Sequence, residues 1–484
     1  MGFSTLDYLI VFVYLVAVAA FGIIRGGKQR SVKDYFLGKD TIPWWIVCFS
    51  IVAAETSTLT FISIPGLAYL TNLTFLQVAF GYLIGRIAVS ILFLPAYYKG
   101  ELSTAYGFLE TRFGLKTRRF ASVVFLFTRL AADGVRLFAT AIPLKLILDI
   151  DYPVAILILA AVAFIYTFAG GVRGIIWVDA VQMFIYLGGA TVAAVVLVLT
   201  ADGGLSGMLQ MAGDAGKLKI FDFEFGAALF QKPYSIVAGM LGGAFLSMAS
   251  HGTDQLIVQR VLTTKSLQAS RKALIGSGLI IIVQFAIFLV VGVLLFAHYG
   301  GAPVGELGLQ RADEIFPLFI IQGLPQGISG LIIAGLMAAA LSTLAGSMSS
   351  IASSVVMDLW NPMTTEKMDE RKVLLLSRLV TFVAAMLLVG TAIFFMNTSQ
   401  TVVELALSIA SFTYGGLLGT FLLGVLFKRP VQEDALGAFV AGILVMVTVI
   451  SLKLVAWTWF TVIGVFVTLL VGTLLSRLSK EPGR

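Results

Sequence analysis

The sequence predicts an all-α integral membrane protein with thirteen transmembrane helices. Of its 484 residues, 59% are hydrophobic and only 12% are charged, and the mean hydropathy is +0.98. Soluble domains carry about 25% charged residues, so a soluble globular fold is excluded. The apolar runs are long and unbroken, whereas the strands of an outer-membrane barrel are about 10 residues long and alternate in polarity. One helical span needs about 20 apolar residues.

Thirteen apolar stretches meet this requirement. They cover residues 6–25, 44–70, 73–98, 121–148, 153–171, 177–200, 235–255, 273–299, 327–355, 373–395, 402–427, 435–452 and 457–476. Cytoplasmic loops carry an excess of Lys and Arg. Of 33 such residues, 23 fall in one set of alternate loops and 5 in the other. We therefore expect one domain (1–484) in a bacterial inner membrane, with the N-terminus outside, the C-terminus cytoplasmic and no nucleic-acid partner.

Two of the spans are expected to be interrupted. The second contains Glu55, five hydroxyl side chains between 56 and 63, and a Pro-Gly pair. The seventh contains four glycines, two serines and a histidine within 239–252. Such residues weaken the helical hydrogen-bond ladder, although small residues also serve simple close packing. Two interrupted spans in matching halves of a chain are typical of a transporter's binding site.

Five charged residues are expected near the middle of predicted spans, where each is costly and indicates function. Glu55 and Asp133 are acidic, and Arg86, Arg129 and Arg136 are basic. The excess of one positive charge favours an anionic or zwitterionic substrate. The alternative is that Arg129, Asp133 and Arg136, which share one helix face, form a purely structural ion-pair strut.

Four stretches carry a family resemblance: 166–182 (YTFAGGVRGIIWVDAVQ), 252–260 (GTDQLIVQR), 108–114 (FLETRFG) and 339–345 (AALSTLA). Together they resemble the signatures of the sodium:solute symporter family, which includes sodium-coupled sugar, proline, pantothenate, iodide and sialic acid transporters. The resemblance implies a LeuT-type core of two inverted five-helix repeats, about 44–200 and 235–427. One helix would precede this core and two would follow it.

The resemblance also implies a sodium site. Its ligands would be the backbone carbonyls of Ala53, Thr56 and Ala339 and the hydroxyls of Ser342 and Thr343. A hard cation prefers such oxygen ligands. The alternative for the two hydroxyls is hydrogen bonding to their own helix.

Some family members bind a second sodium through an aspartate that matches Asp179. The hydroxyl positions that would complete this second site are Ala345 and Gly346 in this chain. The departure predicts one sodium per cycle and a structural role for Asp179, paired with Arg173.

Substrate contacts in relatives come from the two interrupted helices and the span after the first. The candidates at these positions are Glu55, Ser57, Thr60, Gln77, Ser247 and Ser250. Arg129 and Arg136 of the fourth span are added, because they face a region where relatives have a substrate-binding arginine or none. Because arginine binds carboxylates in a bidentate manner, we expect a carboxylate-bearing solute. Phe61, Phe80 and Tyr414 are candidate gates, and the alternative for each is an aromatic side chain that packs in the core or faces lipid.

The predicted function is sodium-coupled symport of a small organic solute by alternating access. Proton coupling through Glu55 or His251 is the alternative within transport. A membrane enzyme is disfavoured, because the sequence shows no metal-ligand cluster, nucleophile elbow or nucleotide-binding loop.

Overall fold

The computed structural model of the chain describes residues 3–26, 42–99, 105–360, 370–398 and 401–478. Side chains at 19, 23, 57, 164–172, 227, 357, 370–375, 377 and 378 lie outside this description. The described part contains seventeen α-helices and no strand. They are α1 (Thr5–Gly26), α2 (Trp44–Leu70), α3 (Leu76–Leu92), α4 (Leu94–Lys99), α5 (Ala105–Phe113), α6 (Leu115–Leu148), α7 (Tyr152–Thr200), α8 (Gly204–Asp214), α9 (Ile236–Gly252), α10 (Gln255–Leu262), α11 (Leu267–His298), α12 (Ile315–Gln322), α13 (Ile328–Ser353), α14 (Glu370–Phe395), α15 (Val402–Leu426), α16 (Gln432–Ser451) and α17 (Thr458–Leu478).

The described helices confirm a multi-spanning α-helical protein, while the count of thirteen spans stays a prediction. Eight helices are each long and apolar enough to cross a membrane, or up to ten if two bent pairs each count as one span. The main difference is α7, which continues over 49 residues and would be about 73 Å long if straight. Its apolar parts, Tyr152–Ala163 and Arg173–Thr200, match the fifth and sixth predicted spans.

The packing of the helices has a reciprocal pattern. Helix α2 packs along α11, and α9 packs along α3. Helix α13 packs on α7, and α6 packs on α14 and α15. Each interrupted helix therefore lies against the helix that follows the other interrupted helix. This exchange is expected for two related halves that face each other.

The glycines of α9 allow the α3–α9 contact to be close. A Cβ atom at Gly243 would lie 2.4 Å from the carbonyl oxygen of Val78. A Cβ atom at Gly81 or Gly85 of α3 would lie 2.3 Å from a backbone oxygen of α9. The prediction that the glycine-rich stretch itself is the interruption is therefore wrong, since α9 stays helical through it.

Both interrupted helices are observed, but they are interrupted differently. Helix α2 bends by 58° between Thr56 and Thr58. Helix α9 ends at Gly252, and α10 begins two residues later at Gln255. The second interruption thus follows the glycine-rich stretch instead of lying within it.

Candidate functional site

The bend of α2 lies against the middle of α13. The hydroxyl of Thr58, at the bend, donates to the carbonyl oxygen of Leu336 at 2.8 Å. One helical turn or two away, Ser50 of α2 and Ser342 of α13 both donate to Asp179 of α7, at 3.0 and 2.8 Å. These contacts bracket the predicted sodium ligands on both helices.

All five predicted sodium ligands are buried. Ala53 and Thr56 lie between the two bracketing contacts on α2, and Ala339, Ser342 and Thr343 lie beside them on α13. The hydroxyl hydrogen of Ser342 points to Asp179 Oδ1, so the lone pairs of its oxygen remain available to a cation. Ser342 therefore does not bond its own helix, which was the alternative interpretation.

Thr56 fits a role through its carbonyl better than through its side chain. Its hydroxyl donates to the carbonyl oxygen of Val52 at 2.6 Å and accepts a hydrogen bond from the Gln284 side chain at 2.5 Å. Gln284 is not among the candidates predicted from the sequence. Its signal there is a single amide within the otherwise apolar run 278–297 of α11.

The structural role of Asp179 stays a prediction, but its ion-pair partner differs from the one expected. Arg260 Nη2 lies 3.1 Å from Asp179 Oδ2, and Arg260 Nε donates to Ser50 Oγ at 3.1 Å. The predicted pair with Arg173 is therefore wrong. Arg260 is the last residue of the GTDQLIVQR stretch. The motif therefore contains the partner of Asp179, but its sequence does not show that the two residues pair.

Glu55 is neutralised by Arg86. Arg86 Nη2 forms an ion pair with Glu55 Oε2, and Arg86 Nη1 donates to Ser277 Oγ at 2.7 Å. His251 Nε2 lies 3.6 Å from the same carboxylate. The Arg86 side chain is completely buried, and the Glu55 side chain is 17% exposed.

Ser247 and Ser250 join this group through the other ring nitrogen of His251. The Oγ of Ser250 lies 2.8 Å from Nδ1 and that of Ser247 lies 3.5 Å from it. The hydroxyl of Thr60 donates to the carbonyl oxygen of Glu55 at 3.2 Å. Four substrate candidates are thus brought together around the α2 bend and the end of α9.

A second group of charges lies on α6. Asp133 Oδ1 is 3.3 Å from Nη1 of Arg129 and 3.3 Å from Nη1 of Arg136. Arg129 Nε is also 3.6 Å from Asp254 Oδ2, and Tyr414 donates to that oxygen at 2.5 Å. Asp254 therefore cancels the positive excess inferred from the sequence, which did not count it.

Arg136 is the most open member of this group. Its side chain is 22% exposed, against 6% for Arg129 and none for Asp133. Among the described residues it makes one ion pair, so other N–H donors of its guanidinium can contact a ligand. The accessible guanidinium of Arg136 therefore supports an anionic solute, whereas an excess of positive charge no longer does.

Two substrate candidates need separate comment. The Gln77 amide donates to the carbonyl oxygens of Tyr234 and Thr74 and accepts from the Asp222 N–H. These backbone contacts use both N–H donors of the amide and one lone pair of its oxygen, and the substrate role of Gln77 stays a prediction. The Ser57 side chain lies outside the described residues.

Comparison of the sequence with known proteins gives consistent matches. A model of the sodium:solute symporter family matches residues 35–445. The sodium/sialic acid symporter NanT of Aliivibrio fischeri is 30% identical over 491 residues, covering 99% of this chain and 94% of that protein. The sodium/sialic acid symporter SiaT of Proteus mirabilis is 27% identical over 487 residues, covering 98% and 96%.

Solved structures agree on the fold. A substrate-bound, outward-open Na+-coupled sialic acid symporter superposes with a TM-score of 0.88 at 27% identity, over 99% of this chain and 98% of the other. A nucleobase-cation-symport-1 family transporter in a closed conformation gives a TM-score of 0.57 at 11% identity, over 92% and 94%. The LeuT-type fold implied by the sequence motifs is confirmed.

Proposed function

The chain belongs to the sodium:solute symporter family, and from this premise we propose that it carries one sodium ion together with one carboxylate-bearing solute. It is a multi-pass, sodium-coupled symporter and not an enzyme. The solute class that the neighbouring relatives suggest is the sialic acids, which are sugars with a carboxylate. The accessible guanidinium of Arg136 is the observation that supports this choice.

The stoichiometry is supported by the balance of buried charge. The charged groups described around the two interruptions pair to zero in three sets. The sets are Glu55 with Arg86, Asp179 with Arg260, and Asp133 and Asp254 with Arg129 and Arg136. An unpaired charge in the membrane costs at least a few kcal/mol. A monovalent carboxylate and one sodium ion together leave the interior neutral, whereas either alone does not.

Sodium would bind where α2 bends against α13, with Ala53, Thr56, Ala339, Ser342 and Thr343 as its ligands. A cation there holds the two helices together and favours the state in which the substrate groups are ordered. Sodium and solute then each raise the affinity for the other. Replacement of Ser342 or Thr343 by alanine should raise the sodium concentration that half-saturates uptake. Unchanged sodium dependence in both variants would contradict the site.

The function is tested by the thermal stability of the purified protein in detergent. The sialic acid N-acetylneuraminate is compared with N-acetylmannosamine, a related sugar without the carboxylate, each in sodium chloride and in potassium chloride. A ligand at a hundredfold excess over its dissociation constant adds about 2.7 kcal/mol of stability. We expect a shift for the acid in sodium alone. An equal shift in potassium, or for the neutral sugar, would contradict the proposal.

We further infer one transport domain, with repeats at about 44–200 and 235–427, an outside N-terminus and a cytoplasmic C-terminus in the inner membrane. The reciprocal packing of α2, α3, α9 and α11 supports the repeats. The distribution of positive charge supports the orientation. Residues 27–41 and 361–369, which carry part of that charge, lie outside the described residues.

A further inference from the structure

A chain of alternating charges runs from Arg136 to the junction between α9 and α10. Asp133 accepts from Arg136 and Arg129 through the same oxygen, each at 3.3 Å. Arg129 reaches Asp254 at 3.6 Å. These distances exceed the 2.7–2.9 Å of a strong charge-assisted hydrogen bond. Asp133 and Arg129 each divide their contacts between two partners.

The far end of this chain holds the junction together. Asp254 Oδ1 accepts from the Leu256 N–H at 2.9 Å and so caps the first turn of α10. Its Oδ2 receives the Tyr414 hydroxyl of α15 and faces Arg129. One carboxylate thus connects the start of α10 with α15 and α6.

The near end is the part that a ligand can reach. Of the four charged side chains in this series, that of Arg136 is the most exposed, while that of Asp133 is fully buried. The second oxygen of Asp133, Oδ2, accepts no hydrogen bond within the described part of the protein. Asp133 can therefore take on a stronger contact with Arg129 if Arg136 turns to another anion.

We propose that Asp133 and Arg129 are positioning residues that relay the binding of a carboxylate at Arg136 to the Asp254 junction. This inference rests on the proposed function. A ligand carboxylate competes with Asp133 for Arg136. Asp133 then binds Arg129 more strongly, and Arg129 binds Asp254 less strongly. The junction between α9 and α10 is released, which allows α10 to move relative to α6 and α15.

The first test compares two tyrosines that undergo the same chemical change. Tyr414→Phe removes the hydroxyl that shares Asp254 Oδ2 with Arg129. Tyr106→Phe removes a buried hydroxyl that lies near the same Asp254 and Arg129 but has no hydrogen-bond partner among the described residues. Without Tyr414, Asp254 should hold Arg129 more tightly and release it more slowly.

The two variants are compared in proteoliposome uptake and in equilibrium binding of N-acetylneuraminate in sodium. For Tyr414→Phe we expect the maximal uptake rate to fall about tenfold, the size expected for one hydrogen bond to a charged group. The dissociation constant should stay within about threefold. Tyr106→Phe should match the unmodified protein in both measurements. Equal behaviour of the two variants would overturn the relay.

The second test separates a relay from a general defect. Asp133→Asn removes the competitor for Arg136, so binding of N-acetylneuraminate should tighten while the maximal uptake rate falls. A merely structural role predicts weaker binding together with slower uptake, and that outcome would overturn the proposal. If the unmodified protein binds no carboxylate in sodium, the proposed function fails and the relay fails with it. The relay alone is refuted if the unmodified protein binds the carboxylate normally while Tyr414→Phe and Tyr106→Phe lose the same fraction of the maximal uptake rate.

Discussion

The two interrupted helices differ in where the hydrogen-bond partners at their interruptions come from. At the bend of α2, most of the side-chain hydrogen bonds come from threonines of the helix itself, Thr56, Thr58 and Thr60, and Gln284 of α11 adds one to the Thr56 hydroxyl. At the junction of α9 and α10, neighbouring helices supply the partners. Tyr97 donates to the Gly252 carbonyl oxygen, and the Ala105 N–H donates to the Gln255 side chain at 2.7 Å.

This difference bears on the sodium site proposed above. Backbone groups that a helix no longer pairs must find other partners in the membrane. At the junction of α9 and α10, Tyr97 and Asp254 supply such partners. For the Ala53 and Thr56 carbonyls at the α2 bend, we propose sodium as the partner. The predictions below test this contrast, beginning with the largest expected effect.

The largest effect is expected from the ion pair beside the α2 bend. Arg86→Leu leaves Glu55 without its guanidinium partner in a buried position. Loss of one partner of a buried pair costs about 3–5 kcal/mol. Thermal unfolding in detergent should show this loss. The double variant Arg86→Leu with Glu55→Gln carries no unpaired charge and should regain much of the stability. A single variant as stable as the double one would contradict a role in holding the bend.

The next effect concerns the glycines that precede the second junction. Gly243→Ala places a Cβ atom 2.4 Å from the carbonyl oxygen of Val78, so the α3–α9 contact must open. Overpacking of this kind costs about 1–3 kcal/mol. Gly188→Ala, also within a long helix, meets nothing within 4 Å and is the control. Equal melting temperatures of the two variants would show that close packing is not the reason for the glycine.

The sequence allowed much of this architecture to be predicted, for identifiable reasons. Hydrophobicity locates helices because the bilayer admits few other structures. Glu55 and the hydroxyl-rich stretch located the α2 bend correctly. The glycines of α9 misled, because glycine serves close packing as well as interruption.

Side-chain partners were the least predictable part of the site. Asp179 was expected to pair with Arg173, six residues away, and instead pairs with Arg260 of another helix. Asp254 was left out of the charge balance, although it neutralises Arg129. Both partnerships depend on how helices distant in the sequence are brought together, which spacing along one helix cannot reveal.

A smaller effect is expected where the two interruptions meet. Asp179 contacts Ser50 of α2, Arg260 of α10 and Ser342 of α13. Asp179→Asn weakens the orientation of the Ser342 hydroxyl, so the half-saturating sodium concentration for uptake should rise about tenfold, equivalent to about 1.4 kcal/mol. Ser50→Ala removes the hydrogen bond to the other oxygen of Asp179 and should raise the half-saturating sodium concentration less. The opposite order would show that Asp179 acts through α2 alone.

The last effect concerns the C-terminal half of α2, Thr58–Leu70. A Cβ atom at Gly66 would lie 2.5 Å from the carbonyl oxygen of Ala312, so this half packs directly on the segment that contains Asp313. Burial raises the pKa of Asp313 to about 6, although hydrogen bonds such as those from the Val402 N–H oppose the rise. The ordinary value for the unfolded chain is near 3.8.

Between these two pKa values the folded protein binds the proton and the unfolded chain does not. The free energy of unfolding should therefore fall as pH rises from about 4 to 6, by at most about 1.4 kcal/mol per pH unit. Above about pH 6 the contribution of Asp313 is constant. Thermal unfolding of Asp313→Asn, which cannot titrate, should lack this slope. If the variant has the same slope as the unmodified protein, other groups set the pH dependence of stability. The protonation of Asp313 then does not stabilise the C-terminal half of α2.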